Sequence, residues 1–309
     1  MADLVAQFST AGGFTARKLA QATDIFRAML RDRKCVKFLA FTADIVATGT
    51  RGVIRQMVEQ GMCDAIVTTC GTVDHDIARS FAPYHHGSFE MDDAKLRKKG
   101  INRLGNVLVP DSSYGTLIEK KTLAMLRDIT KKTRKEEGGP RATSAFSTRD
   151  LLGEVGKRLP KGSILRACAD RGVPVFVPGI TDGSFGSQLW TYRQQDKSFS
   201  IDVLKDEDQL AHLVFDVQRD RKRTGALIIG GGIAKHHTIW WNQFIGGLQY
   251  AVYLTTAVEH DGSLSGARMR EAVSWGKVAP EAKYLTVEGD ATVTLPLLVC
   301  AAMKKSRGA

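Results

Sequence analysis

The sequence has 309 residues, 43% of them hydrophobic, which is enough for the core of one large α/β domain or of two small ones. No stretch approaches the roughly 18 uninterrupted apolar residues of a membrane span, and the N-terminus lacks the pattern of a secretion signal, so we expect an intracellular protein. The formal net charge of +11 lies largely in two runs, at 95–99 and 131–141, which lack interleaved aromatic residues and are typical of solvated faces rather than of a nucleic-acid site.

The first half of the chain alternates helical patterns with short apolar runs. In chain order it predicts a helix at 17–31, a strand at 35–41, a helix ending near residue 60, a strand at 64–69 and a helix opened by the turn after it. Residues 81–106 are less regular, and a long helix is expected at 114–134. The adjacent His85 and His86 point apart in any regular element, and the five cysteines form no CxxC pair, so we expect neither a metal site nor disulfides.

The second half resumes the same alternation after a charged loop near 131–147, which contains Gly and Pro and is the best candidate for an insertion. In chain order it predicts a helix at 148–158, a strand at 174–178, a helix at 206–221, a strand at 225–230, a helix opened by GGGIAKHH, strands at 250–257 and 282–289, and a closing helix from Asp290. We therefore predict one α/β domain over 1–309.

Gly, Asp, Thr and His residues cluster where the predicted strands end, and an open parallel sheet binds its ligands at that edge. Gly230, Gly231 and Gly232 would permit close approach of a phosphate, although GGGIAK is not a GxGxxG motif. A tight turn between strand and helix would also require glycine there. Asp182 and Asp290 are candidate ribose ligands, or helix N-caps.

The segment EAVSWGKV, 271–278, places Lys277 directly after Trp275 and Gly276. At a crowded, partly apolar point an ammonium is poorly hydrated and loses its proton more readily, and a neutral amine adds to carbonyls and imines. Glu271 lies near enough to hold a cationic partner group. The alternative is a surface lysine that extends past a packing tryptophan, and this segment alone does not separate the two.

Six segments in order resemble the deoxyhypusine synthase family, namely VTTCGTVDHD, INRLGNVLVP, TDGSFGS, IIGGGIAKHH, EHDGSLSGAR and EAVSWGK. The resemblance extends from residue 9 to residue 303. It implies a single doubly wound, mostly parallel α/β domain of Rossmann type that binds NAD. It also implies a cytoplasmic homotetramer with active sites at the subunit interfaces.

The resemblance further implies a transferase that uses spermidine as donor. NAD takes a hydride from the amine, the imine loses 1,3-diaminopropane, and the aminobutyl group passes to Lys277 and then to a lysine of translation initiation factor 5A, where it is reduced. His236 would shuttle a proton, Glu271 would hold the ammonium, and Trp275 would lie along the aliphatic chain. Further positions that match substrate-binding residues of the family are Asp74, His75, Ser187, Gly262 and Ser263.

The positions that match the family's NAD-binding residues are Ala43, Asp44, Thr69, Gly71, Asp182, Gly231, Thr256, Ala257, Asp290 and Ala291. Eukaryotic members have two Glu in place of Asp74 and His75, an Asp in place of each of Ser187 and Leu264, and an Asn in place of Asp44. A polyamine is recognised by negative charges at matched spacing. These differences therefore indicate an archaeal-type member and leave the donor amine open.

Two alternatives remain at the level of sequence. A homospermidine synthase would use the same chemistry with a free amine such as putrescine as acceptor, and it would also need Lys277. A non-catalytic NAD-binding regulatory or nucleic-acid-associated protein would depend on the basic charge instead. The intact EAVSWGK and KHH segments argue against the second alternative, and an acidic protein acceptor would equally favour a basic surface.

Overall fold

The computed structural model of the protein describes residues 2–136 and 144–303. Up to residue 136 its elements are α1 (Ala2–Ala11), α2 (Phe14–Arg31), β1 (Cys35–Phe41), α3 (Asp44–Ala47), α4 (Arg51–Glu59), β2 (Ala65–Val67), α5 (Cys70–Phe81), β3 (His85–His86), α6 (Asp93–Lys98), β4 (Ile101–Leu104), β5 (Val107–Pro110) and α7 (Gly115–Glu136). From residue 144 they are β6 (Ser144–Phe146), α8 (Thr148–Arg158), α9 (Ile164–Arg171), β7 (Val175–Phe176), α10 (Ser184–Gln195), β8 (Phe199–Ile201), α11 (Leu204–Arg219), β9 (Arg223–Ile229), α12 (Gly232–Gln243), β10 (Leu248–Thr255), α13 (Met269–Ser274), β11 (Val278–Glu288) and α14 (Ala291–Met303).

Six strands form one parallel sheet in the order β11-β10-β9-β1-β2-β7. The chain moves outward from β1 through β2 to β7, returns to the centre at β9, and then moves outward through β10 to β11. The strand order reverses between β1 and β9, and this is the point at which an open α/β sheet ordinarily binds its ligands. The predicted doubly wound, mostly parallel α/β fold is confirmed.

The central strands are buried on both faces, which is why they read as nearly continuous apolar runs in the sequence. Successive side chains of β1 enter different cores. Leu39 and Phe41 pack with residues of α2, α4, α5 and α14, while Phe38 and Ala40 pack with residues of α11, α12 and α13. Two helical layers thus cover the sheet, and the second layer carries the residues of the candidate site.

Three buried aspartates join helices that are far apart in sequence. Asp74 accepts backbone N–H bonds of 2.9 and 2.6 Å at the start of α10, and Asp76 accepts bonds of 3.0 and 2.9 Å at the start of α9. Asp206 accepts bonds of 2.9 and 3.0 Å at the start of α8. Each carboxylate satisfies N–H groups that the first helical turn leaves unpaired and complements the helix dipole.

Several elements differ from the sequence prediction. The helix after β2 begins at Cys70, where we predicted a turn, and α9 was not predicted at all, although Ser163 caps its start and Gly172, with φ of +67°, ends it. In the predicted charged loop, 131–134 overlap the helix predicted at 114–134, and α7 continues through Lys135 and Glu136, whose long unbranched side chains favour helix. Residues 137–143 lie outside the described residues.

The basic run at 95–99 lies at the end of α6 and is solvent-exposed except for Leu96, as a solvated face should be. Helix α6 belongs to an excursion between α5 and α7 that also contains a small antiparallel sheet of β3, β5 and β4. None of the helices within 2–136 and 144–303 is both long and apolar enough to cross a bilayer.

Candidate active site

Lys277 is positioned by the turn that ends α13. Gly276 has φ of +67°, the left-handed conformation that glycine adopts without strain. Its N–H donates to the carbonyl of Val273 at 3.0 Å, and the N–H of Lys277 donates to the carbonyl of Ala272 at 3.0 Å. This is a Schellman motif, which turns the chain from α13 directly into β11. Lys277 therefore enters the site from the amino end of β11, and not from the carboxyl edge of the sheet.

The amine of Lys277 lies in an aromatic and imidazole environment. Its Nζ is 3.4 Å from Nε2 of His236 and 5.5 and 5.2 Å from the ring centroids of Trp240 and Trp275. Lys277 is only 7% exposed, whereas Trp275 is 65% exposed and forms the outer side of this environment. Both rings are close enough for cation–π contact with the ammonium. Trp240 was not predicted, although it follows His236 by four residues and so shares its helix face.

His236 stacks on Trp240, with ring centroids 5.6 Å apart and an angle of 30° between the rings. Burial and the neighbouring charge of Lys277 lower the pKa of His236 below its ordinary value. The imidazole is therefore neutral at pH 7 and can accept a proton. The separation of Nε2 from the lysine amine is at the long end of a hydrogen bond, as is common in catalytic sites without substrate.

A cleft of about 300 Å³ surrounds the amine and is bounded by α12, α13 and the segment that joins β10 to α13. Its apolar lining is Ile239, Trp240, Leu264, Ala267, Ala272 and Trp275. Within the described part of the chain, Glu271 contributes the one carboxylate of the lining. The rest of the lining is basic, with Lys235, His236 and Arg268 beside Lys277.

Asp74, His75 and Ser187 are not brought to this cleft. The carboxylate of Asp74 is buried between the start of α10 and the hydroxyl of Tyr114, which donates to it at 2.9 Å. Burial lowers the pKa of His75 to about 4, and its Nδ1 is 2.8 Å from the hydroxyl of Tyr84. Ser187 donates to a carbonyl one turn earlier in α10. In this chain Asp74 and His75 thus have internal partners, and the substrate-binding role of all three stays a prediction.

Gly262 and Ser263 lie on the exposed part of the segment between β10 and α13. Gly262 has φ of +72° and ends a short helical turn, and the hydroxyl of Ser263 accepts the backbone N–H of Ser265 at 3.1 Å. They adjoin Leu264, which lines the cleft. Their predicted contact with substrate is also untested.

The ten predicted NAD-binding residues all follow the carboxyl ends of strands in the main sheet. The strands and their residues are β1 with Ala43 and Asp44, β2 with Thr69 and Gly71, β7 with Asp182, β9 with Gly231, β10 with Thr256 and Ala257, and β11 with Asp290 and Ala291. They therefore lie along one edge of the sheet, on both sides of the point between β1 and β9 where the strand order reverses.

The chemistry of this edge fits a dinucleotide. Among the described residues no side chain caps the first turn of α5 or α12, so their N–H groups can receive a pyrophosphate. Gly71 permits close packing, because a Cβ there would lie 2.8 Å from the Cβ of Ala43. The carboxylate of Asp182 is exposed, whereas Oδ1 of Asp290 accepts the N–H of Thr292 at 2.8 Å and caps α14. Asp290 is therefore a helix N-cap, and its role at the cofactor stays a prediction.

The three glycines after β9 are required by the backbone conformation and the packing of this turn. Gly230 and Gly232 have φ of +73° and +59°, and a Cβ on Gly231 would lie 2.1 Å from Oγ of Ser265. Gly231 thus packs against the segment between β10 and α13, so this position requires glycine whether or not a phosphate binds nearby. Its N–H remains at the start of α12, so a role at the cofactor stays a prediction.

Fold and cleft together define a Rossmann-type α/β protein that presents a lysine and a neutral histidine in an apolar cleft beside a candidate dinucleotide site. The chain matches the family described as "Deoxyhypusine synthase" over residues 3–302. It is 51% identical over 300 residues to a protein of Thermoplasma acidophilum named "Probable deoxyhypusine synthase", covering 97% of this chain and 92% of the relative. A relative of the same name from Ignicoccus hospitalis is 49% identical over 311 residues, with coverage of 99% and 92%.

The chain therefore belongs to the deoxyhypusine synthase family of transferases, and these curated relatives are archaeal, as the sequence had indicated. A crystal structure described as that of "a putative deoxyhypusine synthase from Entamoeba histolytica" superposes with a TM-score of 0.65 at 20% identity. The match covers 96% of this chain and 91% of that one, and it shows that the fold is shared.

Proposed function

We propose that this protein transfers the 4-aminobutyl group of spermidine, through an imine on Lys277, to a lysine of translation initiation factor 5A in the cytoplasm, with NAD as cofactor. Family membership supports the reaction, and one observation supports the residue. The amine of Lys277 is buried 3.4 Å from the neutral imidazole of His236, in a cleft with tryptophan rings near it. A nucleophilic lysine needs a nearby proton acceptor and limited hydration.

In this proposal His236 accepts a proton from Nζ of Lys277. The neutral amine then forms a bond to the imine carbon of the oxidised donor, and the bond to the nitrogen of 1,3-diaminopropane breaks. The acceptor lysine later attacks the same carbon, and Lys277 leaves as the free amine. The chemistry that NAD supplies when bound is to accept a hydride from the donor and to return it to the final imine, so the overall transfer involves no net oxidation.

The walls of the cleft suit the rest of the donor. Trp240 and Trp275 lie within 5.5 Å of the lysine amine and would contact the aliphatic chain and a cationic nitrogen. Glu271 would hold an ammonium. Exclusion of water by the aromatic rings would also protect an imine from hydrolysis.

For NAD, the N–H groups at the start of α5 and α12 would hold the pyrophosphate, and Asp182 would bind a ribose hydroxyl. We further propose a homotetramer with sites between subunits. Exposed apolar side chains near the cleft support this, namely Ile233, Trp240, Phe244 and Trp275, which are 42 to 65% exposed in one chain. A second copy would remove this apolar surface from water.

The test is to incubate purified protein with spermidine and NAD, together with either the precursor of factor 5A or putrescine. We expect deoxyhypusine on the precursor and release of 1,3-diaminopropane, and neither with Lys277→Ala. Formation of homospermidine with an unmodified precursor would instead establish the free-amine alternative. Bound NAD without any transfer would favour a non-catalytic protein.

A further inference from the structure

Lys235, the residue before His236, is a buried cation that the reaction outlined above does not use. It is 1% exposed, and its Nζ donates to the carbonyl oxygens of Leu264 at 2.8 Å and of Ala267 at 2.5 Å. The ammonium also lies 4.0 Å from the ring centroid of Tyr253. A buried charge is costly unless it is hydrogen-bonded, and here the partners are backbone carbonyls and an aromatic face.

Both carbonyls belong to the segment 256–268 that joins β10 to α13, which we call the wall loop. On one side, Ser265 of this loop packs against Gly231, and its carbonyl accepts the hydroxyl of Tyr253 at 2.6 Å. On the other side, Leu264 lines the cleft around the lysine amine. The wall loop therefore lies between Gly231, in the turn after β9, and the cleft around the amine of Lys277.

The two ends of the wall loop are held together by Arg268. Arg268 donates to the carbonyl of Ala257 at 3.1 Å and forms ion pairs of 3.3 Å with Glu259 and 3.6 Å with Glu288. These acidic partners are partly exposed, so solvent and salt weaken the pairs. The stretch from Leu264 to Ala267 is held from beneath by Lys235 and Tyr253.

We propose that Lys235 is a positioning residue, whose ammonium bridges the carbonyls of Leu264 and Ala267 and thereby fixes the wall loop, and with it the width of the amine cleft at Leu264. The effect on the reaction rests on the proposed function, whereas the effect on the loop does not. A lysine suits this role because its long stem reaches across from α12 and its head carries three donors. A neutral side chain of similar length would fill the space and leave two partly buried carbonyls without this partner.

The test compares Lys235→Met with Thr238→Val, a control on the same helix. Thr238 is buried, but its hydroxyl donates only to the carbonyl of Ala234, one turn earlier. Three quantities are measured for each variant, namely backbone hydrogen exchange of the wall loop without substrates, KM for spermidine, and kcat. For Lys235→Met we expect loop exchange and KM each to rise about tenfold, because the variant leaves two partly buried carbonyls without a donor. We expect kcat to change less than about threefold.

The control should keep wild-type loop exchange and KM. Wild-type exchange in Lys235→Met would overturn the proposal, and so would a fall in kcat with unchanged KM, which would mean that Lys235 acts on the reacting atoms. If Lys235→Met fails to fold, Lys235→Gln is measured in its place, because its shorter, neutral amide cannot bridge both carbonyls; it should also raise loop exchange, and wild-type exchange in it would overturn the proposal. If the wild-type protein catalyses no transfer, the proposed function fails, and the exchange measurement still decides the role of Lys235.

Discussion

His236 and His237 are adjacent in sequence but have different surroundings. His236 faces Lys277 at 3.4 Å, whereas Nε2 of His237 is 3.3 Å from Glu207 on α11. Burial lowers the pKa of His237 to about 4, so its contact with Glu207 at pH 7 is that of a neutral ring. Consecutive side chains of a helix point about 100° apart, and this separation assigns the two rings different tasks.

We predict that His236→Gln lowers kcat about a hundredfold, because the variant cannot accept the proton of Lys277. The wild-type rate should fall with acid only below about pH 6.5, since burial and Lys277 lower the pKa of His236 beneath its ordinary value. Profiles of kcat against pH test this, and the variant should lack the acidic limb. His237→Gln is the matched control and should keep both kcat and the limb. An unchanged kcat in His236→Gln would exclude the proton transfer.

The sequence predicted residues that surround Lys277, but not the hydrogen bonds of Lys235 that hold the neighbouring loop. Glu271, Trp275, His236 and Lys277 do meet in one cleft. The resemblance did not identify Lys235, whose carbonyl partners lie about 30 residues further along. Local patterns contain no signal for a bond between such distant residues.

At the level of elements, the buried aspartates decide where three helices begin. Asp74 precedes its partners at the start of α10 by 110 residues or more. The motif VDHD matches a substrate-binding segment of the family, a role that stays a prediction, and only the fold shows that Asp74 also caps α10. The strand β1 shows the opposite case. Its predicted and observed limits agree because its apolar run is local and complete.

We predict that Asp74→Asn destabilises the fold by about 2 kcal/mol, because an amide can accept fewer of the three hydrogen bonds that Asp74 accepts. The free energy of unfolding in urea measures this. KM for spermidine distinguishes capping from the substrate-binding role that the resemblance implies. A change of less than about threefold, as expected for the matched capping variant Asp76→Asn, would leave capping as the role of Asp74. A tenfold rise in KM with normal stability would instead establish Asp74 as a substrate ligand.

A charge cluster on α8 is centred on Glu154, which also forms an ion pair with α7. Burial would raise the pKa of Glu154, but hydrogen bonds from Lys157 at 2.6 Å and Arg158 at 2.7 Å outweigh it and lower the pKa to about 2. A depressed carboxyl pKa contributes stability above the unfolded value of about 4.5, and this contribution is lost as the pH falls through the folded value.

We therefore predict that wild type is more stable than Glu154→Gln at pH 7 by on the order of 2 kcal/mol. The difference should shrink as the pH is lowered from about 4.5 towards 2, and urea unfolding of both proteins across this range measures it. A difference that stays constant with pH would contradict the assignment.

At the scale of the whole molecule, the candidate cofactor residues and Lys277 come from opposite ends of the strands of the sheet. The predicted cofactor residues follow the carboxyl ends of the strands, while Lys277 enters from the amino end of β11 and reaches His236 on α12. The alternation of strands and helices predicted the fold class, but not this arrangement. It depends on the wall loop and on where the local Schellman turn at Gly276 lies once the sheet is assembled.

The most direct test of the account is the intact mass of the protein after incubation with spermidine and NAD and trapping with borohydride. The wild-type protein should gain a reduced aminobutyl adduct, and peptide mapping should locate it on Lys277. Lys277→Ala should gain none, although it should still bind NAD. The absence of an adduct on wild type, or an adduct that persists in Lys277→Ala, would contradict the claim that Lys277 carries the transferred group.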